Sequence, residues 1–418
     1  MRQDQPLRIF YAAGPGDVAN TFRCWKQDRD DPSYLSWAYA QQFFEICREL
    51  NAPAYVLACC VKPDLVRDEH FTVEHRPNPF ESTRGARFHF GRVSYGLQML
   101  TTALRFRASV AVVPMGTYWF MLSLFRLCGV QVIPSLHEVL WCKYGRMKLS
   151  HRVIKRLGRR LFARHAFAIL SISDDADRQV AQLTRGRHRP IVAFLPSFRS
   201  EKFEGTARTR PARPPFRVVF VGRIERNKGV FDLLEVAREL MTRGRTDITF
   251  DVWGGGSQLG ALRSAVVTAK MEATFRCHGY RDEIEMAATY GSAHVVVVPT
   301  TTEFSEGFPR VVAEAMLSGC PVVTSAVCPA VRYVGDGVVE VPPGDIIAYA
   351  DAIVGLCDDH ELYERTRRAC MVVGAQFCDP VRSWGSALKT TLQALQSGHD
   401  PTPVSWLPGA PHDRAVTP

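Results

Sequence analysis

The chain has no run approaching the ~20 consecutive apolar residues that a membrane-spanning helix requires. Its start, Met1-Arg-Gln-Asp-Gln-Pro, has no apolar core of the kind that leads a secreted protein. Both absences point to an unprocessed, cytoplasmic chain. No Cys-x-x-Cys pair occurs among the 12 cysteines, and Cys59, Cys128, Cys142, Cys277, Cys320 and Cys357 lie in apolar contexts, so buried thiols are expected and a metal site is not. The glycine triplet Gly254–Gly256 lacks the Gly-Lys-Ser/Thr of a P-loop, which argues against kinase or NTPase chemistry. Acidic residues are missing altogether between Glu138 and Asp174. What remains is a chain of 418 residues, 46% of them apolar, with a formal charge of +10. That is the length of two domains, the composition of a globular protein, and a charge that calls for an anionic partner: nucleotide, phospholipid or nucleic acid.

Short apolar runs alternate with helical patterns from end to end, which predicts α/β architecture with parallel sheets. Strands are expected over 7–13, 54–60, 109–113, 130–136, 167–172 and 191–195, then over 216–222, 249–253, 274–278, 293–299, 321–324 and 338–341. Residues 199–215, RSEKFEGTARTRPARPP, are basic and proline-rich without periodicity and read as a linker between the halves. The division is therefore residues 1–198, a Rossmann-like domain; 199–215, the linker; 216–388, a second Rossmann-like domain; and 389–418, a helix end and a tail disordered from Asp400. Two such domains facing across a cleft place ligands at the carboxyl ends of the strands.

Residues 301–324, TTEFSEGFPRVVAEAMLSGCPVVT, follow the buried run 293–299. Glu306 ends a polar loop, Gly307 permits close approach of backbone to a ligand, and Pro309 suits the first turn of a helix. The first amides of that helix and its dipole favour an anionic oxygen. Glu314 lies roughly 7 Å further along, at about 1.5 Å per residue. The two carboxylates are thus separate acceptors for hydroxyls of one extended ligand, such as a sugar and a ribose, and not an acid–base couple. After the strand at 216–222 come Arg223 and Lys228, two cations around a glycine-flanked turn that can neutralise a diphosphate. His278-Gly279-Tyr280 ends another strand, where backbone could meet a nucleobase.

The string Glu306-Gly-Phe-Pro-Arg-Val-Val-Ala-Glu314, followed by Ala-Met-Leu-Ser-Gly-Cys-Pro-Val-Val, resembles the E-x7-E signature of the retaining glycosyltransferases of family 4. The resemblance covers most of 216–388. It implies the two-domain GT-B fold, a nucleotide diphosphate sugar as donor, retention of configuration by same-face attack, and no requirement for a metal or other cofactor. It implies that Arg223, Lys228, Gly307 and Phe308 hold the donor phosphates, that Glu314 holds the nucleotide ribose, and that Glu306 and His137 act at the transferred sugar. His137-Glu138 is similar to the family's His-Asp pair with Glu in place of Asp; a structural or surface histidine is the alternative. Acceptors among relatives include lipid-linked sugars in surface polysaccharide or glycolipid synthesis. A nucleotide-sugar epimerase or hydrolase on the same scaffold, and a non-catalytic sugar-nucleotide-binding protein, stay open.

Two stretches depart from the pattern. Gly14-Pro-Gly16-Asp-Val-Ala19 satisfies G-x-G-x-x-G/A, but residues 21–32 are polar, a helix is expected only near Tyr34, and no acid follows the next strand to hold a ribose. A plain turn and a glycine loop at the donor or acceptor both remain open for Gly14 and Gly16. In the second stretch, Lys143, Arg146, Lys148, Arg152, Lys155, Arg156, Arg159, Arg160 and Arg164 accumulate. Val153, Ile154, Leu157, Leu161 and Phe162 recur at helical spacing, which predicts a basic amphipathic helix with the apolar residues opposite the charges. Such a helix is either an ordinary solvated face or a contact with an anionic membrane surface on its inner side; no nucleic-acid module accompanies it.

Overall fold

Strand-forming residues buried on both faces are the mark of a parallel sheet covered by helices. In the computed structural model, which describes residues 7–78, 83, 85–145, 149–206, 213–281 and 283–407, they build two such sheets. The first holds β1 (Ile9–Ala13), β2 (Ala54–Ala58), β3 (Asp64–Arg67), β4 (Phe71–His75), β5 (Val110–Val113), β6 (Gln131–Leu136), β7 (Ile169–Ser171) and β8 (Ile191–Ala193) in the order β3-β4-β2-β1-β5-β6-β7-β8. The second holds β9 (Phe216–Val221), β10 (Ile248–Trp253), β11 (Phe275–Gly279), β12 (Val295–Val298), β13 (Val322–Ser325) and β14 (Val338–Val341) in the order β11-β10-β9-β12-β13-β14. Every pairing is parallel except β3 with β4. In both sheets the strand order reverses beside the first strand, which opens a crevice at the carboxyl edge. The architecture is the expected one, two α/β domains with parallel sheets.

The edge hairpin β3–β4 was not expected. Its sequences, DLVR and FTVEH, alternate polar and apolar residues because one face is solvated, and so lack the continuous apolar run of the central strands.

A second correction concerns the turn after β1. The helix Val18–Lys26 starts directly after Gly16, capped by Asp17, whose carboxylate accepts from the Asn20 amide at 2.9 Å. Val18, Ala19, Phe22 and Trp25 are its buried face, a helical spacing hidden by the polar residues between them. Thr21 Oγ1 donates to the buried Asp31 at 2.6 Å, so the polar stretch is folded locally. The next helix is Tyr39–Glu49, not one beginning near Tyr34.

The third correction is at the end of the chain. The helix Trp384–Ser397 returns to the first domain, where the Gly385 amide donates to Gln42 Oε1 at 2.7 Å and Trp384 packs on Tyr11 and Tyr39. Val404 pairs with Val192 of β8, and buried Trp406 donates to the Ala193 carbonyl at 2.9 Å. Residues 384–388, expected at the end of the second domain, thus pack on the first, and 400–407, expected to be disordered, is ordered by two apolar anchors. Residues 408–418, part of the expected tail, lie outside the described residues, as do 207–212 of the linker. One apolar core runs between the domains through Phe308, Tyr333 and Phe377. Among the six cysteines singled out, Cys59 and Cys320 are buried whereas Cys128 is exposed at the end of a short surface helix.

Candidate functional site

Three strand ends of the second sheet meet at one place. After β9 the chain makes a single turn at Arg226–Lys228 and passes Gly229, whose φ is 74°. A Cβ there would lie 1.9 Å from the Pro299 carbonyl oxygen, so only glycine lets this turn close on the end of β12. The contact is locked by the Thr301 amide, which donates to the Asn227 carbonyl at 3.1 Å. Lys228 is thereby carried to Glu306, and its Nζ donates to Glu306 Oε2 at 2.5 Å while lying 4.0 Å from the centre of the Phe304 ring. Thr300 Oγ1 adds a bond to the same oxygen at 3.3 Å. Glu306 is buried, and a buried carboxylate requires such partners.

Pro309 caps the helix Arg310–Leu317, whose start faces the loop carrying Glu306. Glu314 is one turn along it, with the Tyr290 hydroxyl donating to Oε2 at 2.5 Å. Arg223, Lys228, Glu306, Glu314, Phe308 and Pro309 all line one cavity of about 650 Å³ at the carboxyl edge of the second sheet. The Phe308 side chain is itself buried against Tyr333 and Phe377, at 5.6 and 5.7 Å between ring centres, so it anchors the loop at the cavity wall. Arg223 is exposed at the rim, 5.6 Å from the Phe304 ring.

The first domain meets this site at the tip of β6. A Cβ on Gly307 would lie 2.1 Å from the His137 carbonyl oxygen and 2.7 Å from Glu138 Cα. Gly307 therefore lets the backbones of the two domains touch, a use additional to the ligand approach expected for it. The half-buried His137 ring packs against Tyr39 and Phe194, at 4.5 and 5.2 Å, and its Nε2 is 3.0 Å from Ser135 Oγ. Removal from water pushes its pKa down to about 3, so the ring is neutral at physiological pH. Glu138 faces the interdomain space. Its pKa is raised, foremost by loss of water, with Arg92 opposing, Glu306 adding and Arg223 opposing. Arg310 bridges the domains by donating to Ser36 Oγ at 3.0 Å, and the Asp174 amide donates to the Tyr333 hydroxyl at 2.8 Å.

Gly14 and Gly16 stand apart from the other candidates. A Cβ on Gly16 would lie 2.4 Å from the Tyr34 hydroxyl, so this glycine makes room for the segment before Tyr39. Neither residue lines the 650 Å³ cavity. Trp253 and Arg281 of this cavity escaped the sequence, whereas Tyr280 is singled out there at its strand end. Trp253 stacks on His278 at 3.9 Å between ring centres, Arg281 lies 4.5 Å over Trp253, and Tyr280 is exposed beside them. Position at the ends of β10 and β11 was the only available signal. A second cavity of about 800 Å³ opens on the first-domain side, between Glu138, Trp119, Trp141, Arg92, Lys155 and the loop at Thr302–Ser305. Among the described residues, no group of three or more His, Cys, Asp or Glu is placed to hold a metal ion.

Residues 215–359 match the family described as Glycosyl transferases group 1. An alpha-D-kanosaminyltransferase of Streptomyces kanamyceticus is 29% identical over 263 residues, 59% of this chain and 66% of the relative. A D-inositol 3-phosphate glycosyltransferase of an Arthrobacter species is 33% identical over 216 residues, 50% of this chain and 48% of the relative. The chain thus aligns with about half to two thirds of these relatives' length. Anabaena HepE, solved with UDP and glucose, superposes with a TM-score of 0.63 at 15% identity over 94% of this chain and 99% of that one. The sucrose-phosphate synthase of Thermosynechococcus elongatus superposes with a TM-score of 0.69 at 17% identity, with the same coverage of 94% and 99%. These two superpositions show the fold, the two-domain GT-B arrangement.

Proposed function

We infer that this chain is a glycosyltransferase, as the matched family and the relatives indicate, and propose that it is of the retaining, family 4 type with a nucleotide diphosphate sugar as donor. The observation that carries the donor reading is the convergence of Arg223, Lys228, Glu306 and Glu314 on one cavity at the crevice of the second sheet. Its two ends have different chemistry. At one, Arg223, Lys228 and the amides of Gly307 and Phe308 supply the positive charge that a departing nucleotide diphosphate needs. At the other, the Glu314 carboxylate, held by Tyr290, accepts from the ribose hydroxyls. Glu306 accepts from the sugar, and His137, neutral at the tip of β6, is the first domain's residue acting at that sugar. HepE, which shares the fold, was solved with UDP, and this supports a nucleotide as ligand.

With this charge supplied by side chains and amides, a divalent ion is not required, and transfer should survive EDTA. The 800 Å³ cavity beside Glu138 takes the acceptor, and its aromatic walls with Arg92 and Lys155 suit a lipid-linked sugar carrying phosphate.

The test is a panel of nucleotide diphosphate sugars screened by thermal shift, followed by product analysis. Glu306→Gln should depress turnover far more than nucleotide affinity, and Glu314→Gln should weaken nucleotide binding. Equal loss of nucleotide binding in both variants would refute the division of roles. Free nucleotide with an isomerised sugar and no acceptor product would make the protein an epimerase.

A further inference from the structure

The helix Leu149–Arg160 has two unlike faces, and they are not the faces its sequence suggests. His151, Ile154, Lys155 and Gly158 turn inward and wall the 800 Å³ cavity. Gly158 brings the helix close to Trp119, since a Cβ there would lie 3.2 Å from Trp119 Cβ, and Lys155 Nζ sits 3.2 Å over the Trp141 ring. The apolar residues are therefore not opposite the charges. Leu149, Val153 and Leu157, spaced by four, are 76%, 54% and 53% exposed, and Arg152, Arg156 and Arg160 are exposed on the same side. At 100° per residue these six occupy one arc of the helix.

A soluble helix normally turns its leucines inward. Here two leucines and a valine are presented to solvent among three arginines, in a stretch from Glu138 to Asp174 that has no acidic residue between its ends. An apolar stripe edged by guanidinium groups matches a surface with acyl chains below and anionic headgroups above. No helix among the described residues is long and apolar enough to cross a membrane, so the contact would be peripheral.

We propose that the outer face of Leu149–Arg160 docks on an anionic lipid surface and thereby sets the mouth of the cavity walled by its inner face at the headgroup layer. Leu149, Val153 and Leu157 enter the lipid; Arg152, Arg156 and Arg160 stay with the phosphates. The purpose rests on the lipid-linked acceptor proposed above, whereas the docking rests on this helix alone.

The test is cosedimentation of the full chain with phosphatidylcholine vesicles, with and without phosphatidylglycerol, over a salt series. Binding is expected only with the anionic lipid and should weaken as salt shortens the screening length, about 8 Å at physiological ionic strength. Replacing each arginine by Gln should lower partitioning about fivefold, and the triple variant about a hundredfold. Leu149→Ser with Val153→Ser and Leu157→Ser should lower binding that survives high salt. All six side chains are exposed, so thermal unfolding should be unchanged. Equal binding to neutral and anionic vesicles, no binding at low salt, or wild-type binding by either triple variant overturns the docking. So does RNA binding that is as tight as vesicle binding and is unaffected by the serine variant. Nucleotide affinity measured without vesicles tests the donor reading separately, so the two can fail independently.

Discussion

Lys228 Nζ and Glu306 Oε2 are 2.5 Å apart, so one candidate for the donor phosphates is paired with the candidate for the sugar. Both side chains are largely buried, at 17% and 9% exposure. Removing one partner leaves the other's charge uncompensated, a loss of roughly 3–5 kcal/mol. Lys228→Ala should therefore lower stability as well as donor affinity, and Lys228→Ala combined with Glu306→Gln should recover much of the stability. Chemical unfolding of the single and double variants measures the coupling. Strict additivity would show that the pair does not hold in solution.

Arg223 offers the cleaner test of phosphate binding because it is exposed, whereas Lys228 is held in a buried ion pair. Arg223→Ala should weaken binding of the nucleotide diphosphate by roughly 1.5–3 kcal/mol, the range for hydrogen bonds to charged groups, with stability nearly unchanged. Calorimetry with UDP and with other nucleoside diphosphates reads it directly; an unaltered affinity for each ligand that binds would remove Arg223 from the phosphate site.

Much of this was legible in the sequence for a simple reason. The central strands are short apolar runs with distinct ends, and the residues proposed to act on the donor sit at those ends. What was not legible depends on contacts between distant segments. Glycine at 307 reads as a ligand-facing residue, yet its lack of a side chain is required by His137 and Glu138, 170 and 169 positions earlier. Val18, Ala19, Phe22 and Trp25 form a helix whose polar face masked its periodicity. Trp406 lies in a proline-rich tail that local composition marks as disordered, and only β8 explains its burial.

The same glycine gives the third prediction. Gly307→Ala must move the β6 tip or the loop carrying Glu306, because the added carbon would overlap the His137 carbonyl. Overpacking of this kind costs typically 1–3 kcal/mol. Here the domains can relieve it by separating, so transfer should fall more than nucleotide affinity does. Kinetics and nucleotide calorimetry on the variant make the comparison; an unchanged transfer rate would mean that this contact is not part of the working arrangement.

The last prediction concerns the proton on His137. Trp384 Nε1 can only donate, and it donates to Ser135 Oγ at 2.9 Å. Ser135 Oγ lies 3.0 Å from His137 Nε2; with one lone pair of the hydroxyl taken by Trp384, we predict that its own proton goes to that nitrogen and that the ring proton sits on Nδ1. Trp384 on the returning helix is thus a positioning residue for a histidine at the tip of β6. Since burial lowers the folded pKa to about 3, the unfolded chain takes up its proton first, near pH 6.5. The stability contributed by the neutral ring is complete above that pH and is lost as pH falls towards 3, by about 1.4 kcal/mol per unit. Relative to His137→Gln, the wild-type protein should lose stability with that slope between pH 6 and pH 4, inside the window that runs from about 6.5 in the unfolded chain to about 3 in the folded one. Nitrogen-15 NMR should show the Nδ1–H form, and Trp384→Phe should mix the tautomers and lower turnover more than nucleotide affinity. A dominant Nε2–H form in the wild-type protein would break the chain from Trp384 to His137.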